Sequence, residues 1–212
     1  MIRAHMATSL DGFVAGANQT LEKPFGDHTE HFNDWMWELA AVRKLFGKTG
    51  GETGPSNDVF IERMSNIGAI VMGRKMFGGG PGPWATEPRW DGWWGENPPY
   101  HVPVFVLTHY PRAPQPMQGG TTFHFVTDGV ESALDQARAA AEDKDVVIAG
   151  GAQAVRQVLR VGALDMLELH LIPQLLGAGE RLLDGIPPGI LEQDRVVPAD
   201  GVSHLRYRIR RA

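Results

Sequence analysis

Glycine pairs, paired cations and a hydroxyl–imidazole doublet each stand directly after a short apolar run in this sequence. In Asp145-Val146-Val147-Ile148-Ala149-Gly150-Gly151-Ala152-Gln153 the run meets two glycines and then the start of a helix pattern. Glycine lets backbone N–H groups come close to a ligand, and a helix N-terminus favours an anion. A diphosphate suits that chemistry, although strand-Gly-Gly-helix also makes a tight connection with no ligand. In Gly68-Ala69-Ile70-Val71-Met72-Gly73-Arg74-Lys75 a second run ends in glycine followed by two cations. These either hold a phosphate at the carboxyl end of a parallel strand or form a solvated basic turn. A third run, Val104-Phe105-Val106-Leu107, finishes in Thr108-His109, whose hydroxyl and imidazole both contact phosphate oxygens. Each signal alone is weak. Three strand ends that all offer anion-binding groups are a much rarer coincidence.

The segment Ala7-Thr8-Ser9-Leu10-Asp11-Gly12 leaves the first apolar run and enters a glycine-containing loop, the place for a flap over a ligand. Asp11 is the candidate catalytic residue, orienting a substrate or relaying a proton; its other reading is an Asx turn with Gly12.

The elements that must position these groups follow from the apolar pattern. Ile2 to Ala7, Ala69 to Met72, Val104 to Leu107, Val146 to Ala149 and Leu167 to Ile172 read as strands, and those that do not alternate are expected to be buried on both faces. Phe32, Trp35, Met36, Leu39, Val42 and Phe46 follow helical spacing, introduced by Asp27 and Glu30 as a capping box and stopped by Gly47. A second helix is expected from about Glu131, capped by Asp128 and burying Ala133, Leu134 and Ala137. A third runs from near Ala152 to before Gly162 and buries Val155, Val158 and Leu159. Alternating strands and helices imply an α/β fold with a largely parallel sheet. Leu191 to Val197 and Ser203 to Ile209, separated by Pro198-Ala199-Asp200-Gly201, imply an antiparallel hairpin closing one edge. Two loop-rich stretches, Lys48 to Asn57 and Gly78 to Pro99, are long enough to be functional.

The chain has 212 residues, 42% of them hydrophobic, enough for one good-sized core, and no linker or repeat suggests a second. A single domain over residues 1–212 is expected. Twenty Lys and Arg against 25 Asp and Glu leave a net charge of −5, which argues against binding nucleic acid through its phosphates. The absence of cysteine excludes disulfides, thiolate metal sites and cysteine nucleophiles. With no signal peptide and no membrane-spanning run in view, a cytoplasmic enzyme-like protein is expected, and Asn18-Gln19-Thr20 reads as a chance glycosylation sequon.

Together, Ser9-Leu10-Asp11-Gly12, Met72-Gly73-Arg74-Lys75, Leu107-Thr108-His109, Ile148-Ala149-Gly150-Gly151 and Leu171-Ile172-Pro173-Gln174-Leu175-Leu176-Gly177-Ala178-Gly179 resemble the dihydrofolate-reductase-like superfamily in content and order. The chain looks most like the reductase domain of the bifunctional riboflavin-biosynthesis deaminase/reductase and its stand-alone relatives, from Ile2 to Arg210. The resemblance implies a three-layer α/β sandwich with a mostly parallel sheet and a C-terminal antiparallel hairpin. It implies NADPH as cofactor, a small heterocyclic or sugar-linked substrate such as 5-amino-6-(5-phosphoribosylamino)uracil, and a homodimer. Gly150, Gly151, Ala152 and Gln153 would cradle the diphosphate, and Gly73, Arg74 and Lys75 would lie along the phosphates. Leu107, Thr108 and His109 would stand near the adenosine 2′-phosphate, while the stretch from Ala7 to Gly12 would border the nicotinamide.

Two features depart from that family pattern. The partner deaminase's zinc ligands cannot exist without cysteine, so at most the reductase half is present. The second departure is a Trp-rich insert: Trp84, Trp90, Trp93, Trp94 and Tyr100 either stack on a flat heterocycle or pin a long loop. Dihydrofolate reductases themselves place a carboxylate on the first helix. Here Asp34 and Glu38 fall at about 200° and 240° from Phe32 at 100° per residue, opposite the apolar stripe, so both are expected in solvent. Pterin reduction is therefore an alternative only, as is a non-catalytic NADP-binding or interaction protein on the same fold.

Several motifs are set aside. Gly47-Lys48-Thr49 lacks the glycine a P-loop needs at Val42. Asp27, His28, His31 and Asp34 are read as cap residues, and no metal is expected. His204, Arg206, Arg208 and Arg210 alternate with Leu205, Tyr207 and Ile209, the pattern of a half-exposed edge strand with protective charges.

Overall fold

β-branched runs with no polar alternation become strands that lose water on both faces, and those runs organise this chain. The computed structural model describes residues 1–85 and 89–210. In chain order the elements are β1 (Ile2–Ser9), β2 (Phe13–Ala15), α1 (Asp34–Trp37), α2 (Ala40–Leu45), α3 (Pro55–Met64), β3 (Ile67–Gly73), α4 (Arg74–Phe77), β4 (Pro103–Leu107) and β5 (Gln115–Pro116). They continue with β6 (Thr122–Val126), α5 (Val130–Ala141), β7 (Asp145–Gly150), α6 (Ala152–Arg160), β8 (Met166–Ile172), β9 (Glu180–Arg181), β10 (Leu191–Ala199) and β11 (Val202–Ile209). The strand order is β10-β11-β8-β1-β7-β3-β4-β6-β5, with β2 and β9 paired separately. This is the α/β fold anticipated, a mostly parallel central sheet with C-terminal antiparallel strands. No helix of the described residues is long and apolar enough to cross a membrane.

Two compact units divide the described residues. One holds Met1–Ala4 and Asn66–Leu164; the other holds His5–Ser65 and the chain from Asp165 onward. In the first, β1 pairs in parallel with β7 from Ile2↔Val146, β7 with β3, β3 with β4, and β4 with β6. Ala4 is fully buried, and so are Val71, Val104, Val106 and Ile148, as their unbroken apolar runs require. Helix α5 buries Ala133, Leu134, Ala137 and Ala141, and α6 buries Val155, Val158 and Leu159. At Gly68 the end of α5 packs tightly on β3, and an added Cβ would stand 2.7 Å from the Ala141 backbone. Arg3 and the N-terminal amine both ion-pair with Asp145.

In the second unit β8, β11 and β10 form an antiparallel run, with Ser203↔Leu171 and Ala199↔Val202 in register and a bulge between Gln193 and Arg195. Phe13, Phe32, Ile172, Leu176 and Val202 make one apolar cluster, and Leu39, Val42 and Phe60 make another.

Four expectations need correction. The first helix is broken into α1 and α2, because Leu39 is extended and the backbone on either side of it bonds to Glu52. Its capping box does not form: the Asp27 carboxylate accepts instead from the Asn18 side chain. Asp128 likewise caps nothing; α5 starts after Gly129, and Asp128 accepts from the Thr127 hydroxyl. Finally, β11 is no edge strand. It is bonded on both sides, and β10 takes the edge. Asp34 and Glu38 do face solvent, pairing with His31 and Arg43. Of the two long loops, Lys48 to Asn57 gives its last three residues to α3, and 86–88 of Gly78 to Pro99 lie outside the described residues.

Candidate functional site

Three of the strand ends singled out by sequence are neighbours in the first unit. Strands β7, β3 and β4 are adjacent and parallel, so their carboxyl ends share one edge of the sheet, with Met72 opposite Gly150 and Gly73 opposite Leu107. Gly150 has φ 116°, a conformation that favours glycine, and its peptide bond to Gly151 is cis. A Cβ added at Gly151 would meet nothing within 4 Å, while one at Gly73 would stand 3.8 Å from the Gly150 carbonyl oxygen and the Gly151 nitrogen. Both glycines keep backbone approachable. Helix α6 begins at once at Ala152 with no side-chain cap, so the first N–H groups, those of Ala152 and Gln153 among them, lack the partner a capping side chain gives. At the end of β4, Thr108 is buried, with its hydroxyl accepting from the Tyr110 amide, and His109 is exposed.

The two cations after β3 part company. Lys75 is exposed. Arg74 turns its guanidinium onto the Trp84 ring, 3.1 Å from the centroid, and donates to the carbonyls of Gly79 and Gly80. The tryptophans of the insert are pins. Trp84 donates to the Tyr110 carbonyl, Trp90 to Phe77, Trp93 to Met76, and Trp94 to the Tyr100 hydroxyl. Such use of the indole N–H anchors a loop.

Asp11 lies in the second unit, in the turn that joins β1 to β2. Its carboxylate accepts from the Ser9 hydroxyl at 2.5 Å and from the amides of Leu176 and Gly177 at 3.1 and 2.7 Å. The Ser9 bond first, then the two amides, hold its pKa down to about 2. Asp11 thus joins two loops as an ionised anchor, and the Asx turn with Gly12 gives way to a longer-range clasp. Ala7 packs on the apolar cluster of Phe13, Phe32 and Ile172, and Gly12 has φ 87°.

Sequence reading missed a buried polar cluster in the same unit. His170 stands opposite His204 across β8 and β11, and Glu168 opposite Arg206. Arg63 of α3 lies 3.3 Å from His170 Nε2, and since a guanidinium only donates, that nitrogen accepts. His170 Nδ1 therefore carries the proton and donates to His204 Nδ1 at 2.8 Å, and His204 Nε2 donates to the Ser56 hydroxyl at 3.0 Å. Burial lowers the pKa of both histidines, His204 to about 4. Burial would raise Glu168, but His5 and Arg206 outweigh it and hold the carboxyl near 2. His5, Glu168 and His170 bring potential metal ligands within 4.8 Å of one another. Arg63 and Arg206 already donate into that group, so two guanidinium charges stand where a dication would need lone pairs. The signal that could have found the cluster is the period-two recurrence of Glu168-x-His170 and His204-x-Arg206.

The family profile of the RibD C-terminal domain matches residues 1–198. No curated protein matches the chain. Among solved structures, the chain is similar to a putative riboflavin biosynthesis protein from Shewanella sp. PV-4, with a TM-score of 0.60 and 21% identity over 99% of each chain. It is similar to dihydrofolate reductase from Enterococcus faecalis complexed with NADP(H), with a TM-score of 0.53 and 17% identity over 99% of this chain and 96% of that one. A third is the diaminohydroxyphosphoribosylaminopyrimidine deaminase/5-amino-6-(5-phosphoribosylamino)uracil reductase of Thermotoga maritima, with a TM-score of 0.56 and 13% identity over 99% of this chain and 56% of that one. At such identities the likeness establishes a dihydrofolate-reductase-like fold.

Proposed function

The chain belongs to the RibD C-terminal domain family, and from that premise we propose that it is an NADPH-dependent reductase acting on a small heterocyclic or sugar-linked substrate. The observation that carries the proposal is the row of adjacent parallel strand ends, β7-β3-β4, each ending in groups that bind anions. The crevice outside the carboxyl ends of parallel strands is where open α/β sheets take their ligands.

The residues present fit a dinucleotide. Gly150, Gly151, Ala152 and Gln153 offer backbone N–H groups at an uncapped helix start, and Gly73 and Gly151 leave room for close approach. Lys75, Arg74, Thr108 and His109 supply cations and polar donors for phosphate oxygens, a set that favours the 2′-phosphorylated cofactor. When bound, the nicotinamide ring supplies the hydride for a C=N or related bond. The chain's part is to align donor and acceptor and to exclude water. Asp11 contributes by orientation: an ionised clasp between the β1–β2 turn and the Leu176–Gly177 loop holds the first strand's end in place. The relatives' substrates make 5-amino-6-(5-phosphoribosylamino)uracil the first compound to assay.

The test is a titration with NADPH and, separately, NADH, followed by nicotinamide fluorescence and thermal stability, and repeated with Arg74→Ala. NADPH is expected to bind at least tenfold tighter than NADH, a difference of about 1.4 kcal/mol, and the variant to lose most of that preference. Binding of neither nucleotide would overturn the assignment.

A further inference from the structure

We propose that Arg74 and Trp84 form a latch at the end of β3, closed in this structure and released when a phosphate ester takes the guanidinium. The proposal rests on the reading of that strand end as a phosphate site. Arg74 opens α4, and its guanidinium carbon lies over an indole ten residues further along, 3.1 Å from the ring centroid. Its Nη2 donates to the Gly79 and Gly80 carbonyls at 3.2 and 3.0 Å. Trp84 is itself firmly seated. Its Nε1 donates to the Tyr110 carbonyl at 2.9 Å, and its ring meets Phe77 and Phe125 edge-on at 5.7 and 4.9 Å.

That seat suits the indole better than the arginine. Arg74 Nε and Nη1 are buried with no hydrogen-bond partner, and among the described residues no carboxylate pairs with this guanidinium. A second cation, Arg112, stands 5.0 Å from the centroid of the same Trp84 ring. Burial and that like charge both disfavour the ionised Arg74, in keeping with the geometry. A guanidinium that keeps two dry donors beside another cation is held by the ring face and two carbonyls alone, and an oxyanion would offer it more. Gly78, Gly79, Gly80 and Gly82, all at positive φ between Arg74 and Trp84, let the intervening chain re-route without moving β3. The contact is therefore one of two arrangements open to the same residues, and anion binding selects between them. The competing reading makes Trp84 a fixed platform that holds Arg74 ready for phosphate.

The experiment labels the whole chain with 5-fluorotryptophan, identifies the Trp84 fluorine resonance through Trp84→Phe, and titrates with NADPH and, separately, inorganic pyrophosphate. The latch requires pyrophosphate, and NADPH wherever it binds, to shift the Trp84 resonance, Arg74→Met to abolish the response, and Trp84→Leu to bind the shifting probe at least threefold tighter. NADPH binding seen by nicotinamide fluorescence with a still Trp84 resonance would overturn it. So would weaker NADPH binding by folded Trp84→Leu, which is the platform's signature. A shift with pyrophosphate and no NADPH binding by nicotinamide fluorescence would keep the latch and remove the cofactor assignment; silence with both probes removes the latch. The wild-type titration decides the matter even if Trp84→Leu fails to fold.

Discussion

Asp11 commits both carboxylate oxygens to the chain, one to the Ser9 hydroxyl and the Leu176 amide, the other to the Gly177 amide. Asp11→Asn keeps the shape but puts a donor where an amide points, so the Leu176 and Gly177 amides should exchange with solvent at least tenfold faster; unchanged exchange would show that the loops hold without the clasp. The buried histidines carry a second prediction. His204 titrates near 4 when folded, mainly because burial penalises its charge, and near 6.5 when unfolded. Between these values the unfolded chain binds a proton the native chain does not, so stability is complete above about pH 6.5 and falls as the pH drops. Glu168, held near 2, adds a loss only below about pH 4.5, which leaves the upper window to histidine. Urea midpoints should fall from pH 7 to pH 5, and His204→Gln should shrink that fall. An equal fall in the variant would assign it elsewhere. The turn through Gly150 and Gly151 into α6 was legible because its parts are neighbours in sequence as well as in space. His170 and His204 were not: each faces the other across strands far apart in sequence, and it is burial that disfavours their charged forms.

At the level of elements, a short apolar-rich run proved a better guide than a capping pattern. All five such runs became strands and α6 begins and ends as its spacing implies, whereas neither expected capping pair formed. Strand β6 escaped notice because Thr122 and His124 interrupt its apolar residues, and α3 because Pro55-Ser56-Asn57-Asp58 reads as loop until its helical turn is closed. The helices that were read correctly should answer to packing. Leu134 of α5 is 1% exposed, and Leu134→Ala should cost about 2–5 kcal/mol by lost transfer and residual cavity. Chemical denaturation measures this directly, and a cost under 1 kcal/mol would mean that the helix repacks.

The fold class was legible in the whole sequence, because strand-helix alternation survives local errors; the strand order was not, because nothing in the early part of the chain names its late partners. Strand β1 carries the largest consequence of that order. Ile2 pairs with Val146, and the compact unit that holds His5–Ser9 is completed only by the chain from Asp165 onward. On a ribosome adding about 5–20 residues per second, β1 waits roughly 7–30 s for β7 to be made. Nascent chains arrested at residue 140 should therefore remain open to protease from their first strand on, and protection there before β7 has emerged would contradict the pairing. Throughout that interval an apolar segment with two bare hydrogen-bonding edges is exposed to the cell's holding chaperones, so its yield in vivo is set as much by the pace of translation as by the depth of its energy minimum.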